Sequence, residues 1–249
     1  MGNFGYEPFA DDYYINLHLN TEMELPDNRE TVLHFCEQMK KRFPDLTKFS
    51  VRDNGDMVLE GDKERDSYRW VAIEQLRLCS GYVNPDSPED AYDQHEIVLD
   101  LAPHLLSISL LDCEALDLMY GFDFTFEGNH DEAVSEALGM PTALEGLIDD
   151  ARIQLVNYEP TITFALDEAR KLQCRFSIET RSNPNPSRTS SQPEDQLSVY
   201  FTVRRYWGLG SEKSFLHAFH ELRRHGEELL AERIIPKIIR PLAQVIRSK

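Results

Sequence analysis

A carboxamide, an imidazole and a carboxylate stand side by side in Gly128-Asn129-His130-Asp131, directly after a run in which Phe122, Phe124 and Phe126 alternate with Asp123 and Thr125. Such groups at the end of a strand can ligate a divalent metal. One candidate chemistry is therefore metal-dependent hydrolysis, with Asn129, His130 and Asp131 as ligands. The competing reading is local. Gly128 and Asn129 turn the chain, and His130, Asp131 and Glu132 open the next helix, where capping and the helix dipole favour Asn and acids.

The same four residues resemble the GNH[DE] box of the calcineurin-like metallophosphoesterases, in which the Asn and His ligate one of two bridged metals. The resemblance implies a divalent metal and phosphate-ester hydrolysis. The other boxes of that family are degraded. Asn16-Leu17-His18 stands where D-x-H is expected, with asparagine in place of the bridging aspartate. Gly61-Asp62-Lys63-Glu64-Arg65-Asp66 is one residue too long for G-D-x-x-D, and His217-Ala218-Phe219-His220 does not match G-H-x-H. The leading expectation is no cofactor, with a divalent metal as the alternative.

Other constellations are weaker. His217 and His220 share one helix face, but no H-E-x-x-H is present, and Phe215, Phe219, Leu222 and Leu229 at helical spacing read as a core face. Asp86, Glu89, Asp90, Asp93, Glu96 and Asp100 crowd one segment, as solvated faces do in a chain with 44 acids. Aromatic residues recur in the strands. Trp70, Phe122, Phe124 and Trp207 could line a cleft for a small apolar ligand, although they would equally serve as core. Near the end, Ile238, Ile239, Leu242, Val245 and Ile246 form an aliphatic strip flanked by basic residues. It either closes over the sheet or packs against a second copy, so a homodimer held by these five residues is expected.

The chain has 249 residues, 41% of them hydrophobic, enough for a sizeable core. A formal charge of −18 argues against gripping nucleic acid or an anionic membrane, and fits cationic partners, a metal or simple solubility; the expected partner is a protein with a basic surface. The basic residues concentrate late: Arg223, Arg224, Arg233, Lys237, Arg240, Arg247 and Lys249 stand against Glu227, Glu228 and Glu232. Cys36, Cys79, Cys113 and Cys174 have no CxxC spacing, which predicts free, buried thiols in a reducing compartment. Residues 1–6 show neither the basic start nor the apolar run of a secretory signal, and no stretch approaches a membrane span. Both predict a cytoplasmic protein.

These side chains must be positioned by strands and helices. Strict alternation marks strands at 13–25, 117–127, 159–166, 172–181 and 196–206, each with one buried and one wet face. Asn54-Gly55 predicts a hairpin between 47–52 and 56–61. A long strand is expected over 67–83 and another near 105–112. Helical spacing runs over 29–43, capped by Asp27, and over about 87–102, capped by Asp86 or Ser87. Further helical segments fall near 130–138 and 142–151, and a last helix starts near Ser211, where Pro241 should kink or break it. Residues 181–195 contain no apolar side chain and read as a long solvated loop.

The order suggests two similar modules, 1–104 and 105–249, each reading strand, helix, three strands, helix, within one compact unit. Leu197-Ser198-Val199-Tyr200-Phe201-Thr202-Val203, with Phe215-Leu216-His217-Ala218-Phe219-His220 after it, resembles the end of a sporadically distributed bacterial family of uncharacterised proteins, over about 50 residues. That family implies no activity. The expectation is an α+β fold of antiparallel sheets covered by helices, serving a non-catalytic interaction or accessory role. A metal-dependent hydrolase and a small apolar ligand binder are the alternatives.

Overall fold

The computed structural model describes residues 9–148, 150, 152–153, 155–180, 196–207 and 214–249. The polar segment 181–195 and the expected helix start near Ser211 lie outside the described residues.

The alternating segments form strands. In chain order they are β1 (Asp12–Thr21), β2 (Lys48–Val51), β3 (Met57–Glu60), β4 (Tyr68–Ile73), β5 (Arg77–Val83), β6 (Cys113–Thr125), β7 (Thr161–Ala165), β8 (Leu172–Thr180) and β9 (Gln196–Tyr206). They pair antiparallel throughout, in one sheet of order β2-β3-β4-β5-β1-β6-β9-β8-β7. The fold is α+β, with one continuous sheet rather than several. Its centre is the β1–β6 pair, where Leu17 faces Leu118. Each of these two strands carries a helix and then an antiparallel run that returns to lie beside it, β5 beside β1 and β9 beside β6.

The helices are α1 (Arg29–Arg42), α2 (Pro88–Leu105), α3 (His130–Leu138), α4 (Thr142–Glu145), α5 (Phe215–Leu229) and α6 (Arg240–Ser248), with a π-helical stretch, Leu230–Ile239, joining the last two. Except for the short, exposed α4, their apolar stripes meet a single face of the sheet. Ile15, Leu17, Leu118, Tyr120, Phe122, Val199 and Phe201 from the strands join Phe35, Tyr92, Val134, Phe219, Leu222 and Ile239 from the helices in one buried core. Each fully buried side chain of this size stabilises the fold by about 1.5–3 kcal/mol. The opposite face holds only a small buried cluster, Val58, Ala72 and Cys79 beside Trp70. One face of the sheet is roofed and the other is uncovered.

Several local expectations are corrected. The segment 67–83 is a hairpin, β4 and β5, closed by the Glu74 N–H to Arg77 carbonyl bond of 2.9 Å. Its turn, Glu74-Gln75-Leu76, has no Gly, Pro or Asn to mark it. No strand forms at 105–112; α2 runs on through Pro103, which sits near the helix end, where a missing N–H removes one bond only. Helix α4 covers four residues only. Asn28, not Asp27, caps α1, accepting the Thr31 N–H at 2.9 Å. Ser87 caps α2 in a reciprocal box with Asp90. The last helix is not broken by its prolines. Around Pro236 the chain widens to the π-helical pattern, and the Arg240 N–H reaches the Ile235 carbonyl five residues back. The wider turn moves the preceding carbonyls away from the proline ring. Pro241 follows within the same continuous helix, and the carbonyl four residues before it, on Lys237, still lies in the widened stretch, so the same widening accommodates its ring.

Candidate binding face

The uncovered face is built from the wet half of each strand. Side chains at equivalent register form rows across it. One row runs Tyr68, Val83, Tyr14, Gly121, Tyr200 and Ser177. The next runs Trp70, Gly81, Asn16, Met119, Thr202, Arg175 and Thr163. The third runs Cys79, His18, Asp117, Arg204 and Gln173. Two polar clefts open along these rows.

The first cleft, of about 500 Å³, is lined by Asp12, Tyr14, Asn16, Asp66, Tyr68, Trp70 and Asp123, with Lys63, Arg65, Val83 and Gln196 at its rim. Glycines seat its rings. A Cβ on Gly81 would collide with the Trp70 indole, and one on Gly121 with the Tyr14 ring. Asp12 and Asp123 are direct cross-strand partners, so two carboxylates face each other, a pairing that costs stability in a sheet. The Tyr14 hydroxyl donates to Asp123 Oδ1 at 3.3 Å, and Asn84 Nδ2 donates to Asp12 Oδ1 at 2.5 Å. Burial, reinforced by Asp123, holds the Tyr14 hydroxyl well above its ordinary range, so it stays protonated. Lys63 is drawn away to Glu60 at 2.6 Å, and Arg65 leans to Asp62 at 3.7 Å. Asn16 lines the floor and is 8% exposed, and its Oδ1 has no hydrogen-bond partner.

The second cleft, of about 300 Å³, is lined by His18, Arg77, Asp117, Thr163, Gln173, Arg175, Thr202, Arg204 and Tyr206. Arg204 grips Asp117 with both arms, Nε to Oδ1 and Nη2 to Oδ2, each 2.6 Å. Burial lowers the His18 imidazole below its ordinary value; Asp117 opposes this and Arg77 adds to it.

A third, apolar cleft of about 630 Å³ lies on the helical side, where Leu99, Pro103, Ile108 and Leu110 meet Phe215 and Leu216.

The residues singled out in the sequence do not assemble into one site. Asn129 caps α3, accepting the Glu132 N–H at 3.1 Å, while its Nδ2 donates to the Leu155 carbonyl. His130 Nε2 lies 2.8 Å from the Phe126 carbonyl. Asp131, fully buried, accepts from the Tyr158 N–H and the Thr180 hydroxyl, both at 2.6 Å. Each ties α3 to neighbouring chain, and among the described residues no group of three His, Cys, Asp or Glu is placed to hold a metal. Phe122 and Phe124 point into the roofed core, and Trp207 packs on Phe215 there, whereas Trp70 lies on the opposite face. The four cannot line one cleft, because a period of two separates the faces. Of the C-terminal strip, Ile239 and Leu242 are fully buried in the chain's own core, and Ile238 and Ile246 pack against it. Val245 is half-buried. The strip closes over the sheet and leaves Ile239 and Leu242 no surface for a second copy. His217 and His220 are exposed on α5, and His220 Nδ1 reaches Glu96 at 3.6 Å.

The cysteines have no disulfide partner, and burial pushes the Cys36 thiol up to about 11 and that of Cys174 to about 12. Ser80 and His95 are hydrogen-bonded at 2.9 Å, as a nucleophile and base would be, but both are fully enclosed where α2 packs on β5. No described helix is long and apolar enough to cross a membrane.

No protein-family model matches this chain, and no curated protein matches it. The site is therefore read from its own geometry.

The sequence missed Asn16, Tyr14, Asp12, Asp66 and Asp123. For the strand residues the available signal was their alternation with buried residues, which marks the wet side of a strand, together with Gly81 and Gly121 inside strands, where a missing side chain marks a close approach; Asp66, in the exposed loop before β4, carried no such signal.

Proposed function

We propose that this acidic chain is a non-catalytic, cytoplasmic interaction protein, and that its first cleft takes a guanidinium or ammonium side chain from a basic protein partner. One observation carries this reading: Asp12 and Asp123 face each other across β1 and β6, beside the unpartnered buried Oδ1 of Asn16 and under Tyr14, Tyr68 and Trp70. Asn84 donates to Asp12, and Tyr14 and Gln196 donate to Asp123, all of them neutral groups; a cationic donor adds the opposite charge that these do not bring, and the orphan Asn16 oxygen can accept a further N–H. Aromatic faces supply the rest, since a cation within ~6 Å of a ring is attracted to it. An arginine-rich hexapeptide, titrated while Trp70 and Trp207 fluorescence is followed, tests the idea. Saturable binding that weakens about tenfold in Asp123→Asn and again in Trp70→Ala is expected, and it should fade with salt. Absence of binding, or binding indifferent to both substitutions, overturns it.

A second reading concerns assembly. Edge strand β7 is exposed at every residue, with Ile162 at 58% and Phe164 at 37% on the roofed side of the sheet. The strand carries no charge, so it can pair antiparallel with its own copy about a two-fold axis without like-charge repulsion. Leu144, Leu147, Ile153 and Val156 are exposed in the chain leading to it. A homodimer formed through β7 rather than through the C-terminal strip is the assembly these residues favour. Sedimentation equilibrium should give a dimer that Ile162→Lys dissociates; a monomeric parent protein, or a dimer unaffected by the substitution, refutes it.

A further inference from the structure

The second cleft is the counterpart of the first in the other half of the sheet. Exchanging β1, β5 and β4 with β6, β9 and β8 relates most of the lining strands of the two clefts, with β7 adding Thr163 to the second alone. The chemistry is reversed. Where β4 contributes Tyr68 and Trp70, β8 contributes Gln173 and Arg175. We propose that this second cleft binds a compact oxyanion, a phosphate or carboxylate group, with Arg175 as its principal ligand.

Of the three guanidiniums at the cleft, two are already committed. Arg204 is held by Asp117 at both oxygens, and Arg77 by Glu74, with Nη2 to Oε2 at 2.6 Å. Arg175 is exposed and has no ion-pair partner among the described residues. Its strand neighbours supply further donors, because it pairs in register with Thr202 on one side and Thr163 on the other. Gln173 and the Tyr206 hydroxyl complete the rim. A fixed fork of N–H donors flanked by hydroxyls fits a phosphate or carboxylate, which accepts two parallel bonds from one guanidinium. With its neighbours' charge balanced by Asp117 and Glu74, the Arg175 charge remains for a ligand. The volume, at the lower end of the range for ligand pockets, admits a small anion. In a chain of net charge −18, long-range attraction does not draw an anion here; close contact does, so the site selects by geometry.

The test is calorimetric titration of the full chain with inorganic phosphate in one arm and succinate in the other, at pH 7.5 and low salt. Saturable binding of at least one is expected, and the arm that binds identifies the anion class. Arg175→Ala should weaken it about tenfold or more, as the loss of a charged hydrogen bond does, and Arg175→Lys should weaken it less. Arg175 is exposed, so the variants should melt as the parent does. Asp123→Asn should leave anion binding unchanged, so failure of the cation cleft and failure of this one give different patterns. Neither anion binding up to about 10 mM, or equal binding by Arg175→Ala, overturns the proposal.

Discussion

Asp117 and Arg204 face each other across β6 and β9, joined by two parallel contacts of 2.6 Å, with the carboxylate side chain 5% exposed and the guanidinium 40% exposed. Asn20 adds a third bond to the carboxylate at 3.2 Å. The pair is half sheltered, so its worth lies between that of an exposed pair and a buried one. Arg204→Gln, which strands the sheltered carboxylate, should cost about 2 kcal/mol in urea unfolding. Arg204→Lys keeps the charge but loses the fork, and should cost about half as much. Equal stability of all three proteins would show that the pair contributes nothing.

Stability should fall on mild acidification because of His95. Complete burial pushes this imidazole down to about 3, against 6.5 in the unfolded chain. Between those values the unfolded state holds a proton that the folded state refuses. The stabilising effect is complete above pH 6.5 and is lost as pH falls toward 3, with a slope of about 1.4 kcal/mol per pH unit. Measured between pH 6 and 4.5, before most carboxylates titrate, the slope should flatten in His95→Gln. An unchanged slope would mean that His95 is protonated in the folded protein.

The rings of the first cleft rest on glycines. In Gly81→Ala the new methyl group meets the Trp70 indole, and in Gly121→Ala it meets the Tyr14 ring. Each substitution should cost about 1–3 kcal/mol through overpacking. Gly81→Ala should also shift Trp70 emission to the red as the ring is lifted off the sheet. An unchanged spectrum and unfolding midpoint would mean that the rings have room to move.

Helix α6 is part of the core rather than a free tail. It packs against α3, and Leu242 is fully enclosed. Leu242→Ala should therefore lower unfolding stability by about 2–5 kcal/mol, the loss of a buried aliphatic side chain and the cavity it leaves. A change below about 0.5 kcal/mol would place this residue outside the folded core.

Much of the fold was legible in local pattern. Leu197, Val199, Phe201 and Val203 alternate and become the buried face of β9; Asn54-Gly55 makes the β2–β3 turn, with Gly55 at φ +91°. Capping chemistry at Ser87 and Asn129 was legible too. The β4–β5 turn was not, since Glu74-Gln75-Leu76 lacks turn residues and is set by pairing across the hairpin. Nor was the continuity of the last helix, because a proline's effect depends on whether the turn around it can widen.

The residues by themselves determined which side chains face water, since a period of two assigns each strand its wet and dry sides. Chain order alone determined that a helix follows each central strand. Which wet residues become neighbours was decided only by tertiary structure. Asp12 and Asp123 lie 111 positions apart, and Arg175 meets His18 and Arg77 around one cleft only because β1 and β6 pair at the centre of the sheet. Register across strands is a long-range property, fixed by the packing of the roofed face, and local spacing carries no record of it.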